Sequence, residues 1–330
     1  MRSCPKMAFL VIFSISLISL PLEYANAEDS QTSLQKLHIL IPGAAGGGWD
    51  RTARGTGEAL SKSGLVEQVT FENMSGGGGG KAVAHLIEVN RDSTIMVNST
   101  PIVVRALRGV FPQSFRDLAP IASLIGDYSV IAVRAESEIT SITDLHNALA
   151  RDPSSVPIAG GSVYGGTDHI VAAMLAQGLG ADPRQIKYIP YDAGGKAMVG
   201  LLSGEVVALA SGYGEVVDLV EQGWVRLLCV ASEDRLQTAL ARKVPTCIEA
   251  GVDKLVFVNW RGFFAAQHID PVVLKQYREV LHKLLSTQAW DEVRDRYGWV
   301  DLFRPGQEFH ALLADQEKRL SALLTQLGML

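Results

Sequence analysis

The chain has 330 residues, a formal net charge of −5, and 47% hydrophobic against 20% charged residues. A mildly acidic chain has no electrostatic reason to bind nucleic acid or an anionic membrane, so we expect neither partner. The seven histidines and three cysteines never stand at metal-ligand spacing, and neither glycine run fits a dinucleotide or phosphate-loop motif. We therefore expect no metal and no cofactor.

The N-terminal 27 residues have the pattern of a secretory signal peptide. Basic residues precede an apolar run over 7–22, and residues 25–27 have the small-x-small pattern that signal peptidase cuts. The run is short for a transmembrane helix, and no second apolar run follows, which argues against the alternative of a membrane anchor. We expect cleavage after Ala27, a mature chain beginning at Glu28, and a periplasmic location.

Apolar, β-branched runs alternate with helical patterns along the rest of the chain. This alternation is typical of an α/β fold with mainly parallel sheets. The same succession of strand, glycine loop and helix occurs twice, which predicts two similar lobes with a ligand cleft between them. The predicted strands occupy residues 37–41, 68–73, 94–99, 129–134, 156–161, 186–191, 206–211 and 225–232.

The C-terminal part of the chain is different, because two long helical patterns occupy Pro271 to Gly298 and Pro305 to Leu327. Apolar residues of the last pattern recur at helix spacing, which is typical of core packing. Cys229 and Cys247 remain in the mature chain, and an exported protein permits them to pair. The sequence leaves open whether they do.

The first glycine loop follows the first strand and reads Gly46, Gly47, Gly48, Trp49, Asp50. Backbone N–H groups that no side chain covers, at the start of a helix, bind anions through hydrogen bonds and the helix dipole. We expect Asp50 to begin the helix and to accept amide hydrogen bonds from its first turn. Trp49 either packs under the loop or covers an apolar part of a ligand. A flexible surface turn is the alternative interpretation.

The second glycine loop, GGSVYGGTDHI at residues 160–170, repeats the same device. Ser162, Asp168 and His169 also suggest a secreted serine hydrolase. A nucleophile elbow needs glycine two places on either side of the serine, however, and Tyr164 occupies the second place. His169 either orients the loop or contacts the ligand.

Five segments together resemble a known family. PGAAGGGWDRTAR, ENMSGGGGGKA, GGSVYGGTDHI, IPYDAGGKAMVGLLSGEV and NWRGFFAA follow one another across nearly the whole mature chain. They resemble the substrate-binding proteins of tripartite tricarboxylate transporters, the TctC-like or Bug family. The resemblance implies a two-lobed α/β fold of the type II periplasmic-binding-protein kind. Lobe 1 would comprise residues 28–125 together with about 262–330, and lobe 2 residues 126–261.

The resemblance also implies a function. A protein of this kind is not an enzyme: it closes on a carboxylate and delivers it to a permease with a large and a small transmembrane subunit. We expect a monomer that binds citrate-like tricarboxylates first, with dicarboxylates or aromatic acids next. A secreted hydrolase and a sensor subunit that presents its ligand to a receptor kinase remain alternatives.

In the family the ligand is held mainly by backbone amides, hydroxyls and bridging waters rather than by arginine clamps. Arg51 and Arg105 either assist an anion or are solvated. Tyr191, Asp192 and Tyr213 are weaker ligand-binding candidates at later strand ends. The main candidates carried onto this chain are Gly46, Gly47, Gly48, Trp49, Asp50, Ser162, Val163, Gly165, Gly166, Thr167 and His169.

Overall fold

The computed structural model describes residue 1 and residues 33–89 and 92–330. The predicted signal peptide and its cleavage site lie outside the described residues, apart from Met1. The fold below is that of the compact unit Thr32–Leu330. Among the described residues, no helix combines the length and the apolar character that a membrane crossing requires.

Ten strands and ten α-helices alternate through the described residues. The strands are β1 Leu34–Ile41, β2 Val66–Asn73, β3 Thr94–Ser99, β4 Leu118–Arg134, β5 Ile158–Gly160, β6 Tyr188–Pro190, β7 Ala208–Gly212, β8 Val225–Val230, β9 Val258–Ala266 and β10 Val300–Pro305. The helices are α1 Gly48–Lys62, α2 Gly80–Val89, α3 Pro101–Leu107, α4 Ile142–Arg151, α5 Thr167–Gly178, α6 Gly194–Ser203, α7 Tyr213–Glu221, α8 Pro271–Leu284, α9 Gln288–Tyr297 and α10 Gly306–Gln326.

The strands form a mixed sheet in the order β2-β1-β3-β9-β4-β7-β5-β6, and both β8 and β10 also pair with β4. β1 is parallel to β2 and β3, and β5 is parallel to β6 and β7. Every pair made by β4 is antiparallel. The prediction of mainly parallel sheets is therefore wrong at the centre of the molecule, where β4 and β9 run against their neighbours.

β4 is the strand that the two halves of the fold share. Its first part, Leu118–Tyr128, pairs with β9. Its last part, from Ser129 onward, pairs with β7 and β8. β9 and β10 thus pair with the first part of β4, and β7 and β8 pair with its last part. β5 joins the sheet through β7, and β6 through β5. The predicted lobe boundaries after residues 125 and 261 stay a prediction.

Each of the eight predicted strands overlaps an observed one. The predicted strand at 129–134 covers only the last third of β4. The first part was not predicted as a strand, because polar Ser123 and Asp127 interrupt its apolar sequence. The single helical pattern from Pro271 to Gly298 is wrong, since Thr287 caps a new helix there by accepting a hydrogen bond from the Trp290 N–H. The last helical pattern is confirmed as α10.

Cys229 and Cys247 form a disulfide with a Cα–Cα distance of 4.8 Å. Cys229 lies at the end of β8, and both cysteines are buried. The bond ties the chain that follows β8 back to that strand, where the Cys247 N–H also donates to the Val230 carbonyl at 2.8 Å. The question that the sequence left open is thereby answered.

Candidate ligand-binding site

A cavity of about 600 Å³ lies where the loops after β1, β2, β3, β5, β6 and β7 converge. Ten of the predicted ligand-binding residues line it: Gly47, Gly48, Trp49, Ser162, Val163, Gly165, Gly166, Thr167, Tyr191 and Asp192. The loops come from both halves of the fold, which share strand β4. The two glycine loops thus meet at one cavity, as the repeated pattern predicted.

In the first glycine loop, Gly47 is the N-cap of α1 and Asp50 lies inside the first turn. The prediction that Asp50 begins the helix is wrong. Gly47 has the extended backbone of the N-cap, so the Asp50 side chain is not needed as the cap and its carboxylate turns toward the preceding residues. It accepts the Gly46 N–H at 3.0 Å, and Arg54 Nε donates to it at 2.8 Å. Asp50 and Gly46 support the loop and do not line the cavity.

The second glycine loop has the same geometry with different side chains. Gly166 is the N-cap of α5, and His169 occupies the position that Asp50 has in α1. His169 Nδ1 accepts the Gly165 N–H at 2.8 Å. Gly165 has a φ of +74° and Gly46 a φ of +80°, a region that L-residues with side chains rarely adopt. His169 is therefore a loop support and not part of the cavity lining.

The hydrogen bonds of His169 exclude a serine-hydrolase triad at this position. A triad histidine donates through Nδ1–H and accepts the serine proton at Nε2. Here Nδ1 accepts an amide N–H, so in the neutral ring the proton lies on Nε2. Burial, assisted by the nearby charge of Arg108, lowers the pKa of His169 to about 4. The ring is therefore neutral, in the tautomer that cannot act as the base.

Ser162 is also engaged within its own loop. Its Oγ accepts the Asp168 N–H at 3.0 Å and lies 3.2 Å from the Tyr188 hydroxyl. That hydroxyl in turn donates to the Ser162 carbonyl oxygen at 2.7 Å. These bonds fix the turn in front of α5, so the serine is a structural residue that also lines the cavity.

Trp49 packs under the first glycine loop and also lines the cavity. Its indole Nε1 donates to Ser99 Oγ at 2.9 Å, which ties the first loop to the end of β3. The ring packs against the apolar cluster beneath the loop and also lines the cavity. An aromatic face held in this way offers an apolar surface to a ligand.

Tyr213 was predicted at the site and lies elsewhere. Its side chain is buried in the apolar cluster under β7 and β8, and its hydroxyl is 3.0 Å from Thr238 Oγ1. The side chain of this first α7 residue points into the core, while Gly212 and Glu215 on either side of it line the cavity. Tyr213 does not line the cavity. Tyr191 lines the cavity, although its hydroxyl points toward Gly200 of α6.

Asp168, Glu215 and Arg261 line one part of the cavity, and together with the buried Asp127, which does not line it, they form an acidic cluster around Arg261. Arg261 Nη2 lies 3.4 Å from Asp127 and 3.5 Å from Glu215. Burial raises the pKa of Glu215 to about 7 and that of Asp168 to about 6. Burial also raises the pKa of Asp127. One guanidinium thus interacts with three carboxyl groups, of which Asp168 and Glu215 line the cavity and offer hydrogen-bonding groups to a ligand.

The acidic cluster explains why Gly48 has no side chain. A β-carbon at this position would overlap Arg261 Nη2, which is held by its two carboxylate partners. Sequence reasoning missed Arg261 and Glu215 as lining residues, and Asp127 as a buried partner of Arg261. The available signal was a charged residue inside an apolar strand, as in the segment NWRGFFAA. Such a buried charge needs a partner.

The two arginines left open by the sequence have different surroundings. Arg51 forms an ion pair with Asp218 at 2.7 Å and lies over the Tyr297 ring. Arg105 is buried and lines the cavity. Its Nη1 and Nη2 have no hydrogen-bond partner among the described residues. Arg51 is therefore structural, and Arg105 is an unpaired cation in the cavity wall.

Polar contacts join the loops on the two sides of the cavity. Ser75 Oγ donates to Asp192 Oδ1 at 2.8 Å. Arg108 Nη1 donates to the Tyr164 carbonyl at 2.7 Å. Together with the pair of Arg51 with Asp218, these contacts hold the glycine loops close to each other across the cavity.

Comparisons with known proteins agree with this architecture. The sequence model of the tripartite tricarboxylate transporter family receptor, TctC, matches residues 52–329. Protein BugT of Bordetella pertussis is 24% identical over 298 residues, which cover 88% of this chain and 89% of BugT. A UPF0065 protein of Pseudomonas sp., from the tcbD-tcbE intergenic region, is 28% identical over 253 residues, or 75% of this chain and 73% of that protein.

Solved structures show the same fold. MatC from Rhodopseudomonas palustris with bound malate has a TM-score of 0.77 at 18% identity, covering 88% of this chain and 99% of MatC. A second R. palustris protein, solved with adipate, has a TM-score of 0.79 at 20% identity, covering 89% and 97%. The α/β periplasmic-binding-protein fold is thereby confirmed. Since the family model spans most of its length, the chain belongs to the tripartite tricarboxylate transporter receptor family, whose members are periplasmic solute-binding proteins and not enzymes.

Proposed function

We propose that this receptor captures a small carboxylate in the cavity between its glycine loops and delivers it to the membrane permease of a tripartite tricarboxylate transporter. The observation that carries the proposal is the convergence of two helix N-termini, at Gly48 and Thr167, on one cavity. Helix N-termini favour anions through their free N–H groups and the helix dipole. The bound malate and adipate of related structures support a carboxylate as the ligand class.

The cavity also suits the uncharged part of a small ligand. Its volume of about 600 Å³ lies within the range of small-molecule sites. Pro42, Trp49, Val104, Val163 and Tyr164 supply apolar surface to the lining. A carboxylate with an apolar body would bury that body against these side chains while its charged group meets polar groups.

We also propose that the two lobes, residues 28–125 with about 262–330 and residues 126–261, close on the ligand. Support comes from the change of pairing partner along β4 after Tyr128. The contacts of Ser75, Arg108 and Arg51 across the cavity would then form on closure.

Export through a signal peptide cleaved after Ala27 completes the proposal. A receptor that hands its ligand to a permease must reach the outer side of the cytoplasmic membrane. N-terminal sequencing of the chain from the periplasmic fraction should give Glu28 as the first residue. A retained Met1 would contradict cleavage.

A thermal-shift screen of residues 28–330 tests the binding function. The panel contains malate, adipate, citrate, benzoate, 6-hydroxyhexanoate and 6-aminohexanoate. A ligand that binds only the folded state stabilises it by about 2.7 kcal/mol at a concentration of 100 Kd. At least one carboxylate should raise the melting temperature. Failure of the whole panel would contradict the proposed ligand class.

Delivery needs a separate test, because a sensor subunit would bind through the same cavity. Deletion of this chain should abolish uptake of the identified carboxylate, and a copy with the damaging Gly48→Ala substitution should fail to restore it. Uptake that continues without the chain would contradict the transport role.

A further inference from the structure

Arg105 is a buried cation without an anionic partner. It lies in α3, and its side chain is only 4% exposed. Nε donates to the Pro101 carbonyl at 3.3 Å, but Nη1 and Nη2 have no hydrogen-bond partner among the described residues. Burial lowers its pKa to about 10, which still leaves it protonated at neutral pH. A buried charge without a partner destabilises the folded protein. A bound anion that pairs with the guanidinium would remove this cost.

The chain around Arg105 makes room for this guanidinium. A β-carbon on Gly80 would lie 2.7 Å from Arg105 Nη1 and 2.7 Å from the Phe111 ring. The guanidinium carbon lies 5.7 Å from the centre of the same ring. Gly80, at the start of α2, belongs to the glycine run at residues 76–80 that matches no phosphate-loop motif. Its missing side chain leaves the space that the Arg105 guanidinium occupies.

The acidic cluster is a different part of the same lining. Arg261 there is already shared between Asp127 and Glu215. No ion pair joins Arg105 to a carboxylate within the described ranges. A ligand carboxylate placed beside Asp168 and Glu215 would add a negative charge next to buried carboxyl groups whose pKa values are already raised, whereas a hydroxyl or ammonium group would find acceptors there.

We propose that Arg105 docks the single carboxylate of the ligand, and that Asp168 and Glu215 accept hydrogen bonds from a hydroxyl or ammonium group at the ligand's other end. The proposal rests on the proposed function and narrows its ligand class. It favours hydroxy- and amino-carboxylates over citrate and over dicarboxylates, because Arg105 is a buried cation whose Nη1 and Nη2 are unpaired among the described residues. Arg108 also lines the cavity, but it is only partly buried and already donates to the Tyr164 carbonyl. The part of the lining that contains Asp168 and Glu215 is acidic.

A matched set of probes tests the ligand class. Adipate, 6-hydroxyhexanoate and 6-aminohexanoate have the same chain length and differ only at one end. Calorimetry should show that the hydroxyl or the ammonium compound binds at least about tenfold more tightly than adipate and citrate, the discrimination expected from one poorly matched charge. Tightest binding of adipate or citrate, or binding of none of the four, would overturn the proposal.

Substitution of Arg105 tests the docking residue. Arg105→Met keeps an unbranched chain over Phe111 and removes the charge. We expect the affinity of the tightest probe to fall about a hundredfold, while the melting temperature of the ligand-free protein rises, because an unpaired buried charge is gone. Arg105→Lys, which keeps the charge but not the fork, should bind with intermediate affinity.

Arg319→Gln is the matched control, since Arg319 lies on α10, its side chain is 80% exposed and it pairs with Asp315 one helical turn away. It should leave both affinity and melting temperature unchanged. If Arg105→Met binds a carboxylate as tightly as the unchanged protein, the docking role is wrong and the proposed function stands. If no carboxylate of the wider panel binds the unchanged protein, the proposed function fails and this inference fails with it.

Discussion

The two glycine loops share one backbone geometry and support it with different chemistry. In both, a glycine N–H is accepted by a side chain four residues later, Asp50 in one loop and His169 in the other. Asp50 is a carboxylate that also receives hydrogen bonds from Arg54 and Asn73. His169 is a neutral ring that packs at a tilt against the rings of Tyr164 and Tyr188, with centroid distances of 4.1 and 4.6 Å. The comparison teaches that the loop requires an acceptor at this position and does not require a charge.

The loops also differ one residue earlier. The first has Trp49 there, which offers the cavity an apolar face. The second has Asp168, whose carboxyl group belongs to the acidic cluster. The same turn thus presents an apolar wall on one side of the cavity and a hydrogen-bond acceptor on the other.

The largest effect is expected where the loops come closest to the buried charges. Gly48→Ala places a methyl group against Arg261, whose partners Asp127 and Glu215 hold it in place. We expect ligand affinity to fall about a hundredfold or more, because one misplaced loop displaces several contacts. Calorimetry with the tightest probe of the panel measures the loss.

Gly47→Ala is the matched control in the same loop. A β-carbon there would make only ordinary contact, 3.4 Å from the Ala193 β-carbon. It should change affinity far less than Gly48→Ala. Equal losses in the two variants would mean that loop flexibility, and not the space beside Arg261, is the requirement.

The next effect concerns the two acceptors. His169→Ala leaves the buried Gly165 N–H without its partner, which should lower the free energy of unfolding by about 1–3 kcal/mol. His169→Asn keeps an acceptor and should recover much of that loss. Urea unfolding of the two variants makes the measurement. If asparagine is no better than alanine, the hydrogen bond is not what His169 contributes.

The chemical difference between the acceptors predicts a pH effect. The pKa of His169 falls from 6.5 to about 4 on folding, so between these pH values the unfolded chain binds a proton at His169 that the folded protein does not bind. This contribution to stability is complete above pH 6.5 and is lost as the pH falls toward 4. The free energy of unfolding of the unchanged protein, relative to that of His169→Asn, should therefore decrease as the pH falls from 6.5 to about 4. Parallel stability curves would show that the ring does not titrate in this way.

The smallest effect is expected at Arg51. Its ion pair with Asp218 joins the two sides of the cavity, yet the Asp218 side chain is 46% exposed. Exposed pairs contribute about 0–1 kcal/mol. Arg51→Ala should lower the free energy of unfolding by no more than this and weaken ligand binding only modestly. A double-mutant cycle with Asp218→Asn isolates the pair, and a loss as large as that of Gly48→Ala would make Arg51 a ligand contact.

Local sequence pattern predicted the alternation of strands and helices and the meeting of the two glycine loops. It failed where long-range pairing decides the structure. β9 carries polar Asn259 and Arg261 within an apolar run, and each has a partner more than a hundred positions away in sequence, Thr100 for Asn259 and Asp127 for Arg261. The antiparallel centre of the sheet was therefore not predicted.

At the site, sequence identified which loops line the cavity but not which side chains face it. Asp50 and His169 turn back to their own loops, because the glycine caps leave an amide for them to accept. Tyr213 turns into the core. The sequence also could not show whether Arg105 is solvated or available to an anion, since its burial and its lack of a partner among the described residues are visible only in three dimensions.

A crystal structure of residues 28–330 with the tightest carboxylate of the panel tests the central claim most directly. The account predicts one ligand that lies within hydrogen-bond distance of both loops, residues 47–49 and 162–167, with its apolar part against Trp49. A ligand that contacts only one of the two loops, or that lies outside this cavity, would contradict the account.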